Sequence, residues 1–396
     1  MKQGWQTYTL GQVCDIARGG SPRPIKSYLT DDPNGIRWIK IGDTEVGGKY
    51  ISSTKERIIK EGIKSSRYVK AGDFLLSNSM SFGRPYILKV DGCIHDGWLV
   101  IRDYDETFIQ DFLYYLLLSP SVAKQFEDGA RGSTVRNLNT DIVSAVKVNV
   151  PTKKSEQQRI VSLLDAEFAK IDTLKANAER NLQNAKDLFQ AALKKELKPK
   201  AGWITKTLGE VCDVQGGSTP LRSEPLFWEN GTYPWFTVDD IREQGRVITD
   251  TKQKITKLAW DKLRVFPTNS VLLCCTASVG EYAITTIPLT SNQQFNGLTI
   301  KKGIDIAPMY LFHFASTLKD KLLKLSGKAT IDFVSGAKVK SIVFSYPSMA
   351  EQQSIVSRLD ALSEKSKTLQ ENYEKTIALC DDLKQALLRK AFNGEL

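Results

Sequence analysis

Along residues 1–150, apolar side chains come in short runs bounded by Gly, Pro and Asp: IRWIKIGD (36–43), DFLLSNS (73–79), GWLVIRD (97–103) and AVKVNVP (145–151). Runs of this length between turn formers predict short strands. A stretch with helical apolar spacing, Phe108–Leu118, interrupts them. Residues 203–350 repeat the layout with PWFTVDD (234–240), SVLLCCTAS (270–278), NGLTIKK (296–302), IVFSYP (342–347) and a helical Met309–Leu318. Strands with one or two helices per half predict an α+β fold.

Two other segments have a different period. From Glu156 to about Leu197, apolar residues fall at Val161, Leu164, Phe168, Ile171, Leu174, Ala178, Leu182, Ala185, Phe189 and Ala192. This alternating 3/4 spacing over about five heptads is the seam of a coiled coil. Ser155 and Gln158 stand in capping-box register at its start, and Lys198-Pro199-Lys200-Ala201-Gly202 ends it. The second segment carries Ile355, Leu359, Leu362, Leu369, Tyr373, Ile377, Cys380, Leu383 and Leu387, with Ser348 and Glu351 as its capping box and Asn393-Gly394 at its close. About 40 residues at ~1.5 Å per residue make each helix roughly 60 Å long. A lone helix would expose its whole apolar stripe, so the two are expected to pack together, antiparallel. Stripes wider than one seam, such as Phe168 with Leu163 and Leu188 with Phe189, leave surface for a partner's helix.

The chain is therefore an internal repeat, offset by about 195–198 residues. WQTYTLGQVCD (5–15) returns as WITKTLGEVCD (203–213), and EQQRIVSLLDA (156–166) as EQQSIVSRLDA (351–361). The expected architecture is two similar globular α+β domains, 1–150 and 201–347. They are separated by two long helical segments, 151–200 and 348–396, packed as an antiparallel coiled coil in a pseudo-twofold internal repeat. A shared frame with two divergent middles suits two readers of different targets.

Charge supports that picture. The net charge is +10, with 20 basic and 17 acidic residues in 1–150 and 17 and 13 in 201–350. Two mildly positive globular halves suit shaped binding to a polyanion better than non-specific coating of phosphate. No apolar run approaches a membrane span and the opening residues carry no signal core, so a cytoplasmic location is expected.

Catalytic chemistry finds little footing. The sequence holds no G-x-x-x-x-G-K-[ST] phosphate loop, no G-x-G-x-x-G and no N-P-P-[YF]. No proline precedes an aspartate, as a P-D…E-x-K nuclease would need. Cysteines without a C-x-x-C pair and two histidines, His95 and His313, make a poor metal set. Cys14 and Cys212 read as small buried thiols, and the two histidines as structural. No catalytic or metal-ligating residue is assigned.

The paired LGQVCD and LGEVCD openings lead into glycine loops with a proline, Gly19–Pro22 and Gly216–Pro220. Trp38–Asp43 and Trp235–Asp240 follow, then Leu-Leu-x-x-x-x-S-x-G segments ending at Gly83 and Gly280, and a terminal LLRKAFNGEL (387–396). With these markers in order, twice, the chain resembles the DNA specificity subunits of type I restriction–modification enzymes. One departure stands out: the family's Asn-Gln before the late strand is Asn292-Gln293 in the second half but His95-Asp96 in the first, so that loop is expected to differ.

The resemblance implies two target-recognition domains, each reading one half of an asymmetric two-part sequence in double-stranded DNA. It also implies helical regions that dock two methyltransferase subunits, with motor-nuclease restriction subunits joining for cleavage. S-adenosylmethionine, ATP and Mg would belong to those partners, and this chain would need no cofactor. Half-sites one duplex turn apart, ~34 Å, are within reach of helices of this length, and an added heptad should alter the unread gap. Two other classes stay open: a coiled-coil adaptor without DNA binding, and a self-sufficient methyltransferase or nuclease with unfamiliar motifs.

Base readout uses Arg or Lys for guanine and Asn or Gln for adenine, with Ser and Thr as adaptable partners. The first-domain candidates are Arg18, Arg23, Lys26, Asn78, Ser79, Ser81, Arg84, Arg131, Arg136 and Asn137. Those of the second are Arg222, Thr276, Ser278, Lys328 and Thr330. Val161, Leu164, Phe168, Ile171, Leu182 and Phe189 are the seam and docking candidates of the first helix. Leu359, Leu362, Leu369, Tyr373, Leu383 and Leu387 are those of the second.

Overall fold

The computed structural model describes residues 3–45, 47–78, 82–131, 137–326 and 333–396. Contacts divide the chain into two units: Met1–Glu179 with Glu374–Leu396, and Arg180–Tyr373. Each unit is one globular half together with one end of each long helix.

In the first unit the strands Trp5–Thr9 and Lys147–Pro151 pair antiparallel and bring the ends of the globular half together. A five-stranded sheet runs Asp15–Arg18, Trp98–Arg102, Phe74–Ser77, Pro85–Leu88, Tyr50–Ile51. A four-stranded sheet runs Glu56–Ile58, Ile36–Ile39, Gly92–Ile94, Arg67–Val69. Leu75, Tyr86, Trp98 and Val100 pack with Ile39, Val69 and Ile94. The opposite face of the five-stranded sheet, with Phe74, Leu76, Leu99 and Ile101, packs on helices Gln110–Leu117 and Pro120–Gly129. The first of these helices is the one the apolar spacing predicts. The second, started by Ser119 with Pro120 in its first turn, was not anticipated.

The second unit repeats this order. Ile204–Thr207 pairs with Val343–Tyr346, and five strands run Cys212–Gly216, Phe295–Ile300, Val271–Cys274, Tyr282–Thr285, Val247–Ile248. The smaller sheet has three strands, Gln253–Ile255, Tyr233–Phe236 and Thr290–Ser291. The Phe266↔Leu289 bridge stands where the first half has its fourth strand. All six cysteines are buried. Burial pushes the Cys14 and Cys212 thiols up to about 12, which makes them poor nucleophiles near neutral pH.

The long helices span Lys154–Glu196 and Met349–Phe392. Ser348 caps the second, its Oγ accepting from Glu351 N at 3.5 Å. Ser155 does not cap the first: Gln157 N donates to Lys153 O, so the helix starts at Lys154 and Ser155 lies inside it. Within the first unit Lys175 pairs with Asp381 and Lys384 with Asp172. Within the second, Arg358 pairs with Glu196, and Ser366 Oγ donates to Ala185 O at 3.0 Å. As one residue number rises its partner's falls, so the helices run antiparallel in both units.

Their seam departs from the leucine pattern. Val161, Leu164, Ile171 and Leu359 are buried, and Phe168, Leu182, Phe189, Leu362, Tyr373 and Leu387 half-buried. Leu174, Leu369 and Leu383 are exposed, and the buried central positions belong to Ala178, Ala185, Ser366 and Cys380. At one of these positions the Ser366 hydroxyl reaches the facing backbone itself, at Ala185 O.

The repeated E-Q-Q-x-I-V-x-x-L-D-A segment has a physical explanation. The second residue of the motif, Gln157 or Gln352, is fully buried and knits its helix to the domain before it. Gln157 Oε1 accepts from Ile109 N at 2.9 Å while Nε2 donates to Thr107 O and Pro151 O at 2.8 and 3.2 Å. Gln352 does the same with Ala307 N, Asp305 O and Pro347 O at 2.8, 3.0 and 3.0 Å. Ile160, Leu164, Ile355 and Leu359 fill the cores. The aspartate of the motif meets the domain's helix: Asp165 accepts from the Tyr115 hydroxyl, and Asp360 Oδ1 lies 2.7 Å from His313 Nε2. His313 is therefore the repeat counterpart of Tyr115.

That exchange makes only the second unit pH-sensitive at this joint. Burial pushes the His313 imidazole below its ordinary value, the Asp360 carboxylate opposing it more weakly. A histidine depressed in the folded state takes up protons more readily when unfolded. Stability should therefore be full above the ordinary value of 6.5 and fall as pH drops below it. Hydrogen exchange between pH 7.5 and 5.5 should show residues 203–347 loosening on acidification, with His313→Gln removing most of that dependence. An unchanged profile in the variant would refute it.

Candidate nucleic-acid interface

The loops after strands Asp15–Arg18, Phe74–Ser77 and Gly92–Ile94 meet around one residue, Asp96. Arg18 Nε and Asn78 Nδ2 donate to its backbone oxygen at 3.2 and 2.7 Å. Ser21 Oγ donates to its Oδ1 at 2.8 Å, and Arg23 Nη2 stands 3.5 Å from its Oδ2. The Ser21 hydrogen bond holds the Asp96 carboxyl below the usual carboxylate range, so it is ionised at neutral pH. Asn78 O accepts from Leu138 N at 3.0 Å, which brings the segment carrying Asn137 to the same place.

Beside this node lies a groove of about 740 Å³ floored by Trp38 and walled by Pro22, Ile25, Leu29 and His95, with the Lys40–Glu56 ion pair at its edge. Burial pushes the His95 imidazole down, and its Nδ1 accepts from Gly97 N at 2.8 Å, so His95 is a neutral loop brace.

The candidates fall into distinct positions around this node. Arg23 and Lys26 are exposed on the loop at the groove. Asn78 is buried with its amide committed to Asp96, so it braces the loops and does not face a ligand. Arg84 sits on the adjoining hairpin, its guanidinium 5.9 Å from the Tyr86 ring centre. Arg131 pairs with Asp128 on the helix Pro120–Gly129, and Asn137 is exposed. Ser79, Ser81, Arg136, Lys328 and Thr330 lie outside the described residues.

The second half rebuilds the same backbone frame. Gly217 N donates to Phe295 O at 2.9 Å as Gly19 N does to Trp98 O, and Ser218 N to Ser291 O as Gly20 N does to Ile94 O. Cys275 N donates to Gln294 O, and Val334 N to Cys275 O, matching Asn78 N with Gly97 O and Leu138 N with Asn78 O. Thr219 Oγ1 donates to Gln293 as Ser21 does to Asp96. The loop at His95-Asp96 thus keeps its partner's conformation, contrary to the expectation from its sequence, because backbone groups and one hydroxyl fix it.

What differs is the side chains the frame presents. Gln293 stands for Asp96, Cys275 for Asn78 and Leu221 for Arg23. Glu281 takes the place of Arg84 and pairs with Arg246 at 3.0 Å. Arg222, itself exposed, lies over Trp228 and Trp235, 4.0 and 4.5 Å from their ring centres, and donates to Gln253 Oε1 at 2.8 Å. Thr276 bridges Phe333, and Ser278 borders a cavity of about 420 Å³ shared with Arg242 and Lys319. Candidate lists built on residue type missed Asp96 and Gln293, although the displaced Asn-Gln pair marked their place in the repeat.

The chain thus holds two repeats of one α+β frame with different loop side chains, each tied to a long helix. The chain belongs to the type I restriction modification DNA specificity domain family, whose model matches residues 2–183 and 200–378. It is 36% identical over 168 residues to the type I restriction enzyme EcoprrI specificity subunit of Escherichia coli. It is 33% identical over 179 residues to the MjaIX specificity subunit of Methanocaldococcus jannaschii. These matches cover 39% and 44% of this chain, and the chain spans 41% of each relative's length. The fold matches a chain solved in a study of assembly and conformational transition of the type I R-M system. That match has TM-score 0.83 and 21% identity, and covers 100% of this chain and 99% of the other. Among the described residues no group of His, Cys, Asp and Glu could hold a metal ion, and no helix is long and apolar enough to cross a membrane.

Proposed function

We propose that this chain is the sequence-reading, non-catalytic subunit of a type I restriction–modification complex, each globular half reading one part of an asymmetric DNA target. The observation that carries this is the conserved loop frame around Asp96 and Gln293 presenting different side chains in the two halves. One frame with two chemistries is what two-part readout requires, and it gives neither the adaptor nor the self-sufficient enzyme reading any purpose.

Adenine methylation and ATP-dependent cleavage, with S-adenosylmethionine, ATP and Mg, are assigned to partner subunits, and the complex to the cytoplasm. The outward leucines support docking of two copies of one partner. The first unit exposes Leu174 and Leu383, and the second exposes Leu188 and Leu369, which are their repeat equivalents. Two like apolar sites on one chain suit two like methyltransferase subunits.

Mapping adenine methylation in cells with and without this chain, both carrying its methyltransferase, tests the reading. A two-part asymmetric motif should vanish with the chain, and an unchanged methylome would overturn the proposal. In the same assay Arg84→Ala should alter preference in one half of the motif alone. Equal weakening of both halves would make Arg84 a structural or phosphate-contacting residue.

A further inference from the structure

We infer that Arg23 is a guanine-reading arm of the first domain and that Asp96 is its positioning residue, so that this pair sets one base of one half-site. The inference rests on the DNA-specificity reading above and goes further, to a named determinant.

Arg23 stands between Pro22 and Pro24. The first proline is buried and lines the groove, and the second has its own φ fixed by its ring, so two stiff residues flank Arg23. Its side chain is 83% exposed at the rim of the groove, so the backbone is held while the guanidinium reaches outward. Among the described residues its side chain pairs with Asp96, at 3.5 Å. An exposed pair at that distance adds little to stability. Its effect is directional, because it engages one amine of a five-donor fork and leaves the others for a ligand.

Asp96 is in turn rigid. Its Oδ1 is taken by Ser21, and its backbone oxygen by Arg18 and Asn78. A planar fork held by a braced carboxylate is suited to the paired O6 and N7 acceptors of guanine in a major groove. Phosphate contact would require charge alone and no such brace.

The second half supplies the contrast. On the same loop frame Leu221 and Gln293 replace the pair. The nearby Arg222 is exposed too, but its guanidinium is engaged with Trp228, Trp235 and Gln253. The arginine arm therefore belongs to one half of the target and not to the other.

The test is adenine-methylation mapping in cells carrying the methyltransferase with wild-type chain, Arg23→Lys or Asp96→Asn. Arg23→Lys keeps the charge at an exposed position but loses the fork. It should lower discrimination at one guanine of one half-site by about tenfold or more while the other half stays intact. Asp96→Asn keeps the size and the Ser21 acceptor but loses the charge, and should relax the same base less strongly. An unchanged motif in Arg23→Lys, or an even fall at all sites, would overturn the inference. If Asp96→Asn abolishes methylation by failing to fold, Arg23→Lys still decides. A wild-type chain giving no two-part motif would instead sink the specificity reading itself.

Discussion

Replacing Gln157 with leucine is expected to destabilise the first unit by about 3–5 kcal/mol, since it strands three backbone groups, one buried and two partly buried, at roughly 1–3 kcal/mol each before relaxation. Leucine matches the volume but offers no polar atom to Ile109 N, Thr107 O or Pro151 O, all now served by one amide. Gln157→Glu would still accept from Ile109 N but could not donate to the two carbonyls, so it should be damaging too. Gln352→Leu should act in the same way on the second unit, through Ala307, Asp305 and Pro347. Hydrogen exchange followed separately over residues 3–150 and 203–347 measures both. A loss under about 1 kcal/mol in either variant would show that water replaces the amide, and that the paired E-Q-Q motifs have another cause.

Removing Leu387–Leu396 should destabilise the first globular half, from which they are remote in sequence. The end of the second helix enters that core: Leu388, Ala391 and Phe392 are buried with Phe112, Leu113 and Ile160, and the Phe112 and Phe392 rings meet edge-on at 5.2 Å. Phe392→Ala alone should cost about 3–5 kcal/mol, as for other buried aromatics. The ten-residue deletion should cost more, since Arg159 also donates to Leu396 O at 2.9 Å. The end of the first helix has the matching role in the second unit, where Leu193 and Leu197 join Leu208, Tyr310 and Phe344. Exchange and limited proteolysis of the truncated chain should therefore report loosening in residues 3–150. If only the shortened helix frays, Phe392 merely covers the domain and does not complete its core.

These two effects mark the line between pattern and structure. The helical period, the repeat and the short β runs are local properties, written in residue spacing, and they determined the α+β halves and the two long helices. The repeated Gln and Asp of the second motif were visible as letters, but apart from the nearby prolines their partners lie 45 to 50 residues back in the chain. Only packing shows that Gln157 serves Ile109 and that His313 stands in for Tyr115. The seam shows the same limit. Leucine spacing predicted Leu174, Leu369 and Leu383 inside, but Ala178, Ala185, Ser366 and Cys380 hold the buried positions and these leucines are exposed.

For the candidate interface, residue type and position in the repeat marked the divergent middles and singled out Arg23 and Arg222 alike. Tertiary structure separated the two: one guanidinium extends beside a braced aspartate, the other stacks on two tryptophans. It also made Asn78 a brace and Asp96 a hub, because loops distant in sequence converge there. The sequence alone therefore determined the class of molecule, through spacing and repetition. The identity of the residues that face a ligand was decided by which side chains the folded loops had already committed to one another.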